Sequence, residues 1–305
     1  MTDENTEDDV VVLPDHENAA DRPRRRRSTT ILFVFIAVLL VGGVLTSGSY
    51  LWSLNSKLDN NIKRDSSFMP ADNAARPAPG AKGALNIVIS GNGYSKDNTT
   101  MIAHFTAKRD KVYVVSFPRD SYVYVPGHGR TRLSSAYGLG GHPLVIRTLE
   151  NLTGVRIDHM AEIRFDSFHD AAVALGVSEK AVAKTSSGYG RSELSRLKRQ
   201  QKYVKEVLVD LINRGTVSNP VKFSRALDVV TKNLTVDDGL TTRKLRSLGV
   251  SLRGVRGKDI TFLSAPVAGS GHTKTGMSIT RLDATKLALL SKALREDTMS
   301  SYPPT

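Results

Sequence analysis

Three short apolar runs in the middle of the chain constrain its fold more than any other feature. They read LNIVIS from Leu85, MIAHFTA from Met101 and VYVVSF from Val112, and turn residues or charges bound each one. Continuous apolar runs of this length are typical of strands that are covered on both faces. They predict a layered α/β/α domain with a central mixed β-sheet.

Helical patterns flank these strands. HPLVIRTLENLTG has one apolar face and ends at Gly154, where a glycine is a common helix terminator. We predict further helices at FDSFHDAAVALG, 192–213, NPVKFSRALDVVTKNLTVD, TTRKLRSLGVSLRG and 280–296, and a strand at DITFLSAPV. The economical interpretation is one domain at 85–297, followed by a short tail at 298–305.

An uncharged run from Ile31 to Trp52 has the length that a bilayer core requires. Arg22 and Arg24 to Arg27 precede it, which by the positive-inside rule places the N-terminus in the cytoplasm and later residues outside the cell. The long polar leader favours a membrane-spanning signal anchor over a cleavable signal peptide. Residues 1–30 are then predicted to be a disordered cytoplasmic tail, and the Pro/Ala/Gly-rich segment 53–84 an extracellular stalk and linker.

The charge balance points to anionic partners. The formal net charge is +13, which is compatible with nucleic acid, anionic lipid or a phosphorylated ligand. The predicted topology separates the domain from DNA, and no helix-turn-helix signature is present, so we exclude nucleic acid. The chain has no cysteine, which excludes disulfides and thiol catalysis.

The segment SFPRD places Arg119 and Asp120 at the end of the apolar strand VYVVSF. A second cationic segment, RLSSAY, begins a dozen residues later with Arg132. Guanidinium groups match phosphate oxygens in geometry and charge. Together these segments predict a site for a phosphate-like ligand outside the cell.

These motifs resemble the LytR–CpsA–Psr family of membrane-anchored enzymes of Gram-positive cell walls. The similarity runs in order along nearly all of 85–297. It includes NIVIS-G, SFPRD, YVYVPGHGRTRLSSAYGLGG, LTGVRIDHMAEIRFDSF, RLKRQQ and ITFLSAPV. The resemblance implies a phosphotransferase that binds a polyprenyl-pyrophosphate-linked glycopolymer, usually with Mg²⁺, and transfers the polymer with one phosphate to peptidoglycan.

The resemblance also implies roles for particular residues. Arg119 is the principal pyrophosphate ligand, and Asp120 orients its guanidinium or a catalytic water. Arg132 stands where the family usually has a lysine. In RLKRQQ, Arg196 and Gln200 lie one helical turn apart and are able to reach one ligand together, and Arg199 is a third candidate contact.

The chain departs from the family pattern at the metal. Gly93 and Thr99 occupy the positions of the two metal-binding aspartates, and Asp97 is the one carboxylate left in that loop and the candidate metal ligand. The family's Tyr-x-Arg-x-Arg motif is also missing, and Lys184 or Arg191 are its candidate substitutes. Two functions therefore stay open, a divergent glycopolymer transferase and a non-catalytic module that binds lipid-linked wall precursors or a wall-assembly partner.

Overall fold

The computed structural model describes residues 56, 58–72, 76–92, 99–164, 228, 231–252, 255 and 259–302. The strands within these ranges are β1 (Lys63–Arg64), β2 (Leu85–Asn92), β3 (Thr99–Phe105), β4 (Val112–Phe117), β5 (Tyr122–Val125), β6 (Gly129–Arg132), β7 (His159–Arg164), β8 (Leu234–Val236), β9 (Ile260–Ser264), β10 (Val267–His272) and β11 (Ser278–Leu282). The helices are α1 (Ser135–Thr153), α2 (Thr242–Ser251) and α3 (Ala284–Arg295), and a short 3-10 helix follows at Met299–Ser301.

Seven of these strands form one mixed sheet in the order β1-β8-β7-β2-β3-β4-β9. β2 pairs with β7 and β4 pairs with β9 in parallel, whereas β3 lies antiparallel to both β2 and β4. Two antiparallel pairs, β5 with β6 and β10 with β11, lie beside this sheet. The predicted α/β fold with a central mixed sheet is therefore confirmed.

Both faces of the sheet are buried, as the continuous apolar runs predict. All six residues of β4 are buried. Ile102 and Val115 lie on one face and share a hydrophobic core with α1 and α3. Ile87 and Val114 lie on the opposite face, where they are buried as well.

Helix α1 ends where the sequence predicts but begins earlier and is kinked. Gly154 ends it in the left-handed conformation, at φ 61°. The kink lies at Gly140 and Gly141, and Gly141 has φ 64°. A Cβ on Gly140 would lie 2.8 Å from Cβ of Leu144, so this bend requires a glycine. The two glycines interrupt the apolar periodicity, which is why the pattern predicts the helix only from residue 142.

Two predicted helix boundaries are wrong. The closing helix begins at Ala284 rather than Thr280, because Asp283 caps it and accepts a hydrogen bond from the N–H of Lys286 at 3.0 Å. The preceding residues pair with β10 as strand β11. Residues 234–236, predicted to be helical, form β8 of the central sheet. The helices predicted at FDSFHDAAVALG and 192–213 lie outside the described residues.

Part of the predicted stalk at 53–84 packs into the domain. β1 pairs with β8 at the edge of the central sheet, and Phe68 belongs to the main hydrophobic core. Arg76 forms a buried ion pair with Glu150 of α1, with 2.6 Å between Nη2 and Oε1. The folded unit therefore begins well before residue 85.

The predicted membrane span at 31–52 lies outside the described residues. Among the residues that are described, no helix combines the length and the hydropathy needed to cross a bilayer.

Candidate functional site

The strand directions bring the predicted site residues to one edge of the sheet. β2, β4, β7 and β9 run in the same direction, so their carboxyl ends share an edge. The segment Pro118–Asp120 leaves β4 at this edge, and β2 ends there at Asn92. In open α/β sheets, this edge is where ligands usually bind.

Arg119, Asp120 and Arg132 meet at the end of β4. Oδ1 of Asp120 lies 3.6 Å from Nε of Arg119 and 3.5 Å from Nη1 of Arg132. All three side chains are partly exposed. One carboxylate thus faces two guanidinium groups, which leaves a net positive charge for an incoming anion.

Backbone hydrogen bonds hold this corner in place. The N–H of Ser134 donates to the carbonyl of Arg119, and the N–H of Leu133 donates to that of Ser121, both at 2.9 Å. The N–H of Thr280 on β11 donates to the carbonyl of Asp120 at 2.8 Å. The corner is therefore tied both to the start of α1 and to β11, which limits its motion relative to the sheet.

A buried histidine lies near the same edge of the sheet. Nε2 of His142, at the kink of α1, lies 3.4 Å from Oε2 of Glu162 on β7. The ring packs on Phe68 and Tyr137, with centroid distances of 4.3 and 4.8 Å. Its Nδ1 is buried and has no hydrogen bond partner among the described residues. Sequence reasoning missed this pair, because the two residues lie on different elements with no recognisable spacing.

Several predicted site residues cannot be placed. Gly93, Asp97, Arg196, Arg199, Gln200, Lys184 and Arg191 lie outside the described residues, and Thr99 is described only as the first residue of β3. Within the described ranges, no three His, Asp or Glu side chains form a group that could hold a metal ion. The roles predicted for the residues outside the described ranges therefore stay predictions. The roles of Arg119, Asp120 and Arg132 also stay predictions, although the structure shows that these three residues lie close together.

A second polar cluster lies at the opposite edge of the sheet, at the start of β7. Nδ1 of His159 contacts Oδ1 of Asp237 at 3.0 Å, and the N–H of Met160 donates to Oδ2 of Asp237 at 2.9 Å. Burial alone would raise the pKa of Asp237, but these hydrogen bonds outweigh it and hold the pKa below its ordinary value. The cluster fastens β7 to the turn after β8, which is a structural role.

Comparison with known proteins supports the resemblance. Residues 53–183 match the sequence model of the LytR_cpsA_psr family. The chain is 27% identical over 279 residues to the probable cell wall biosynthesis protein LcpB of Corynebacterium glutamicum, a match that covers 77% of this chain and 67% of that protein. It is 24% identical to the polyisoprenyl-teichoic acid–peptidoglycan teichoic acid transferase TagU of Bacillus subtilis, in a match that covers 90% of this chain and 97% of that protein.

The fold has solved counterparts as well. The crystal structure of TagV from B. subtilis superimposes with a TM-score of 0.56 at 22% identity, over 73% of this chain and 100% of that one. At this identity the likeness concerns the fold alone. The resemblance inferred from the motifs is confirmed.

Proposed function

We propose that this chain, a divergent relative of the LytR–CpsA–Psr family, is a membrane-anchored phosphotransferase of the cell wall. Its substrate is a glycopolymer linked to a polyprenyl pyrophosphate, and its acceptor is a hydroxyl group of peptidoglycan. The printed name of the relative TagU describes a transferase of this kind, from polyisoprenyl-teichoic acid to peptidoglycan.

The observation that carries this proposal is the corner at Asp120, where two arginines face one carboxylate. Phosphoryl transfer depends mainly on charge neutralisation and positioning, so it needs no protein nucleophile. Arg119 and Arg132 bind the pyrophosphate oxygens, and Asp120 orients both guanidinium groups before the ligand arrives. An orienting carboxylate reduces the reorganisation required when charge develops on the phosphate.

The proposed reaction breaks one phosphoanhydride bond. The acceptor hydroxyl oxygen attacks the phosphorus that bears the glycopolymer and forms a phosphodiester. The bond from that phosphorus to the bridging oxygen breaks, and polyprenyl phosphate leaves with the bonding electron pair. The hydroxyl proton passes to solvent, and the arginines offset the charge that grows on the leaving oxygen.

The residues of this chain do not fit the family's Mg²⁺ site well. Gly93 offers no side-chain oxygen and Thr99 offers a neutral hydroxyl, so Asp97 is the one carboxylate of the loop. Mg²⁺ is usually held by one or two carboxylates together with substrate phosphates. We therefore assign no step to Mg²⁺, whose binding stays a prediction from the resemblance.

The anchor and the location belong to the same proposal. The uncharged run 31–52 and the arginines before it support a single membrane span with the domain outside the cell. This arrangement places the site on the side where peptidoglycan lies. Protease added to intact protoplasts should digest the region beyond Trp52, and protection of that region contradicts the topology.

The alternative is a non-catalytic module that binds lipid-linked wall precursors or a wall-assembly partner. The observation that favours it is the replacement of both metal-binding aspartates by Gly93 and Thr99. A binding module of this kind retains the arginines, because it still binds the pyrophosphate. It does not require Mg²⁺, because it does not catalyse the transfer.

One experiment separates the two functions. Full-length protein in detergent is incubated with a polyprenyl-pyrophosphate-linked glycopolymer and peptidoglycan fragments, with and without Mg²⁺, and polyprenyl phosphate is measured. A transferase releases it, and Arg119→Ala abolishes the release, whereas the exposed control Arg243→Ala on α2 leaves it unchanged. Binding of the lipid substrate without any release rejects the transferase and leaves the binding module.

A further inference from the structure

The outer face of the β5–β6 hairpin carries charged and aromatic side chains. Side chains alternate between the two faces of a strand. Val123 and Leu133 point into the hydrophobic core. Tyr122 and its directly paired neighbour Arg132 therefore lie on the opposite, outer face. Asp120 lies on this side too, because Arg132 contacts it.

Strand β11 extends this outer face. Ser121 and Thr280 form a parallel bridge, and the N–H of Thr280 donates to the carbonyl of Asp120 at 2.8 Å. Leu282 packs against the main hydrophobic core, so alternation turns Thr280 to that side and Arg281 to the opposite face, which it shares with the buried Ile279. Arg281 thus lies one residue along from the bridge, beside Tyr122 and on the same face as Arg132.

Both outward arginines carry a buried nitrogen without a partner. Nε of Arg281 and Nε of Arg132 are shielded from solvent and make no hydrogen bond to any described residue. Gly269, which faces Arg281 across the β10–β11 pair, has no side chain to cover the guanidinium. Native proteins rarely leave a buried N–H of a charged group unpaired, since its desolvation is then uncompensated.

We infer that Arg281 and Arg132 form an anion-binding recess on the outer face of β5, β6 and β11, which holds the pyrophosphate of the lipid-linked substrate. Phosphate oxygens accept hydrogen bonds from the two unpaired Nε–H groups, and Asp120 lies at the inner end of the recess. Arg281 then supplies one of the guanidinium groups that this chain lost with the missing Tyr-x-Arg-x-Arg motif. This inference rests on the proposed function, because it names a further ligand at the same site.

The test uses full-length protein in detergent and inorganic pyrophosphate as the probe, measured by isothermal titration calorimetry. Arg281→Met keeps most of the side-chain volume and removes the charge. We expect its dissociation constant for pyrophosphate to rise at least about tenfold, the change expected from the loss of one charge-assisted hydrogen bond. Arg243→Met, which removes an exposed arginine from α2, is the matched control and should leave binding unchanged.

Thermal unfolding of the same variants excludes a merely structural role. Nε of Arg281 has no partner to lose among the described residues, so Arg281→Met should melt at the same temperature as the wild type or higher. Weaker pyrophosphate binding at unchanged or higher melting temperature supports the recess. A clear drop in melting temperature with unchanged pyrophosphate binding assigns Arg281 to structure and overturns it.

The remaining outcomes separate this inference from the proposed function. Wild-type binding that Arg281→Met does not weaken overturns the recess and leaves the transferase intact. Loss of pyrophosphate binding in a protein that never releases polyprenyl phosphate supports the recess and rejects the transferase. The same titration is repeated with a glycerol phosphate oligomer, which lacks pyrophosphate. If Arg281→Met weakens the binding of this oligomer but not of pyrophosphate, the assignment of the recess to the pyrophosphate is overturned.

Discussion

The buried ion pair of Arg76 and Glu150 yields the sharpest prediction about stability. Nε and Nη2 of Arg76 both reach the carboxylate of Glu150, at 3.0 and 2.6 Å. The side chains are only 5% and 3% exposed. Nη2 of Arg76 also donates to the carbonyl of Ile157, and Oε1 of Glu150 accepts the N–H of Ile157. The pair therefore joins the segment before β2 to α1 and the residues that follow it.

Arg76→Ala should destabilise the domain by about 3–5 kcal/mol, because it leaves the carboxylate of Glu150 buried without its counter-ion. For a domain of this size that corresponds to a fall in melting temperature of roughly 6–20 °C. The measurement is thermal and urea unfolding followed by far-UV circular dichroism, which does not rely on Trp52, the single tryptophan.

Asp72→Ala is the matched control in the same segment. Asp72 pairs with Arg156 at 2.7 Å, but its side chain is 73% exposed, so its removal should cost at most about 1 kcal/mol. The double variant Arg76→Met, Glu150→Leu should recover part of the loss, since it removes both charges together but leaves the buried N–H and carbonyl of Ile157 without these partners. If Arg76→Ala costs no more than Asp72→Ala, the ion pair does not fasten this segment and the reasoning fails.

Three further predictions concern the corner, the kink and the pH dependence of stability. Asp120→Asn should lower polyprenyl phosphate release at least about tenfold, because the guanidinium groups of Arg119 and Arg132 are then oriented less well. It should not weaken pyrophosphate binding, because it removes a negative charge from the site; weaker binding in calorimetry contradicts this. Gly140→Ala should cost about 1–3 kcal/mol in urea unfolding, since the new Cβ overlaps Leu144, and an unchanged midpoint refutes the overlap. The pKa of Asp237 is lowered from 3.8, so its contribution to stability is present above that pH and lost as the pH falls through its folded pKa. Asp237→Asn should therefore be less stable than the wild type at pH 7 and approach it as the pH falls through the lowered pKa of Asp237, as measured by urea unfolding from neutral to acidic pH.

The sequence predicts those features whose signal is local. VYVVSF corresponds residue for residue to β4, because a fully buried strand needs an unbroken apolar run. Arg119 and Asp120 lie at its end because Pro118 and the charges after it cannot continue the strand inside the sheet.

The features that depend on distant partners escape such reasoning. β1 has only two residues, Lys63 and Arg64, so it shows no periodicity, and its place in the sheet depends on β8 far along the chain. Arg281 looks like one more basic residue before a helix until the bridge at Thr280 brings it to the corner. His142 and Glu162 come together only through the kink of α1 against β7.

The packing of the segment before β2 also sets how far the proposed site can reach from the membrane. A free linker over residues 53–84 could extend by roughly 110 Å. Because Leu58 is already buried and β1 belongs to the sheet, only about five residues separate the proposed span from folded structure, or roughly 17 Å when extended. With the proposed anchor, such a short connection would keep the proposed lipid-binding site close to the bilayer surface. If the proposed transferase activity holds, its acceptors would then be the peptidoglycan strands nearest the bilayer.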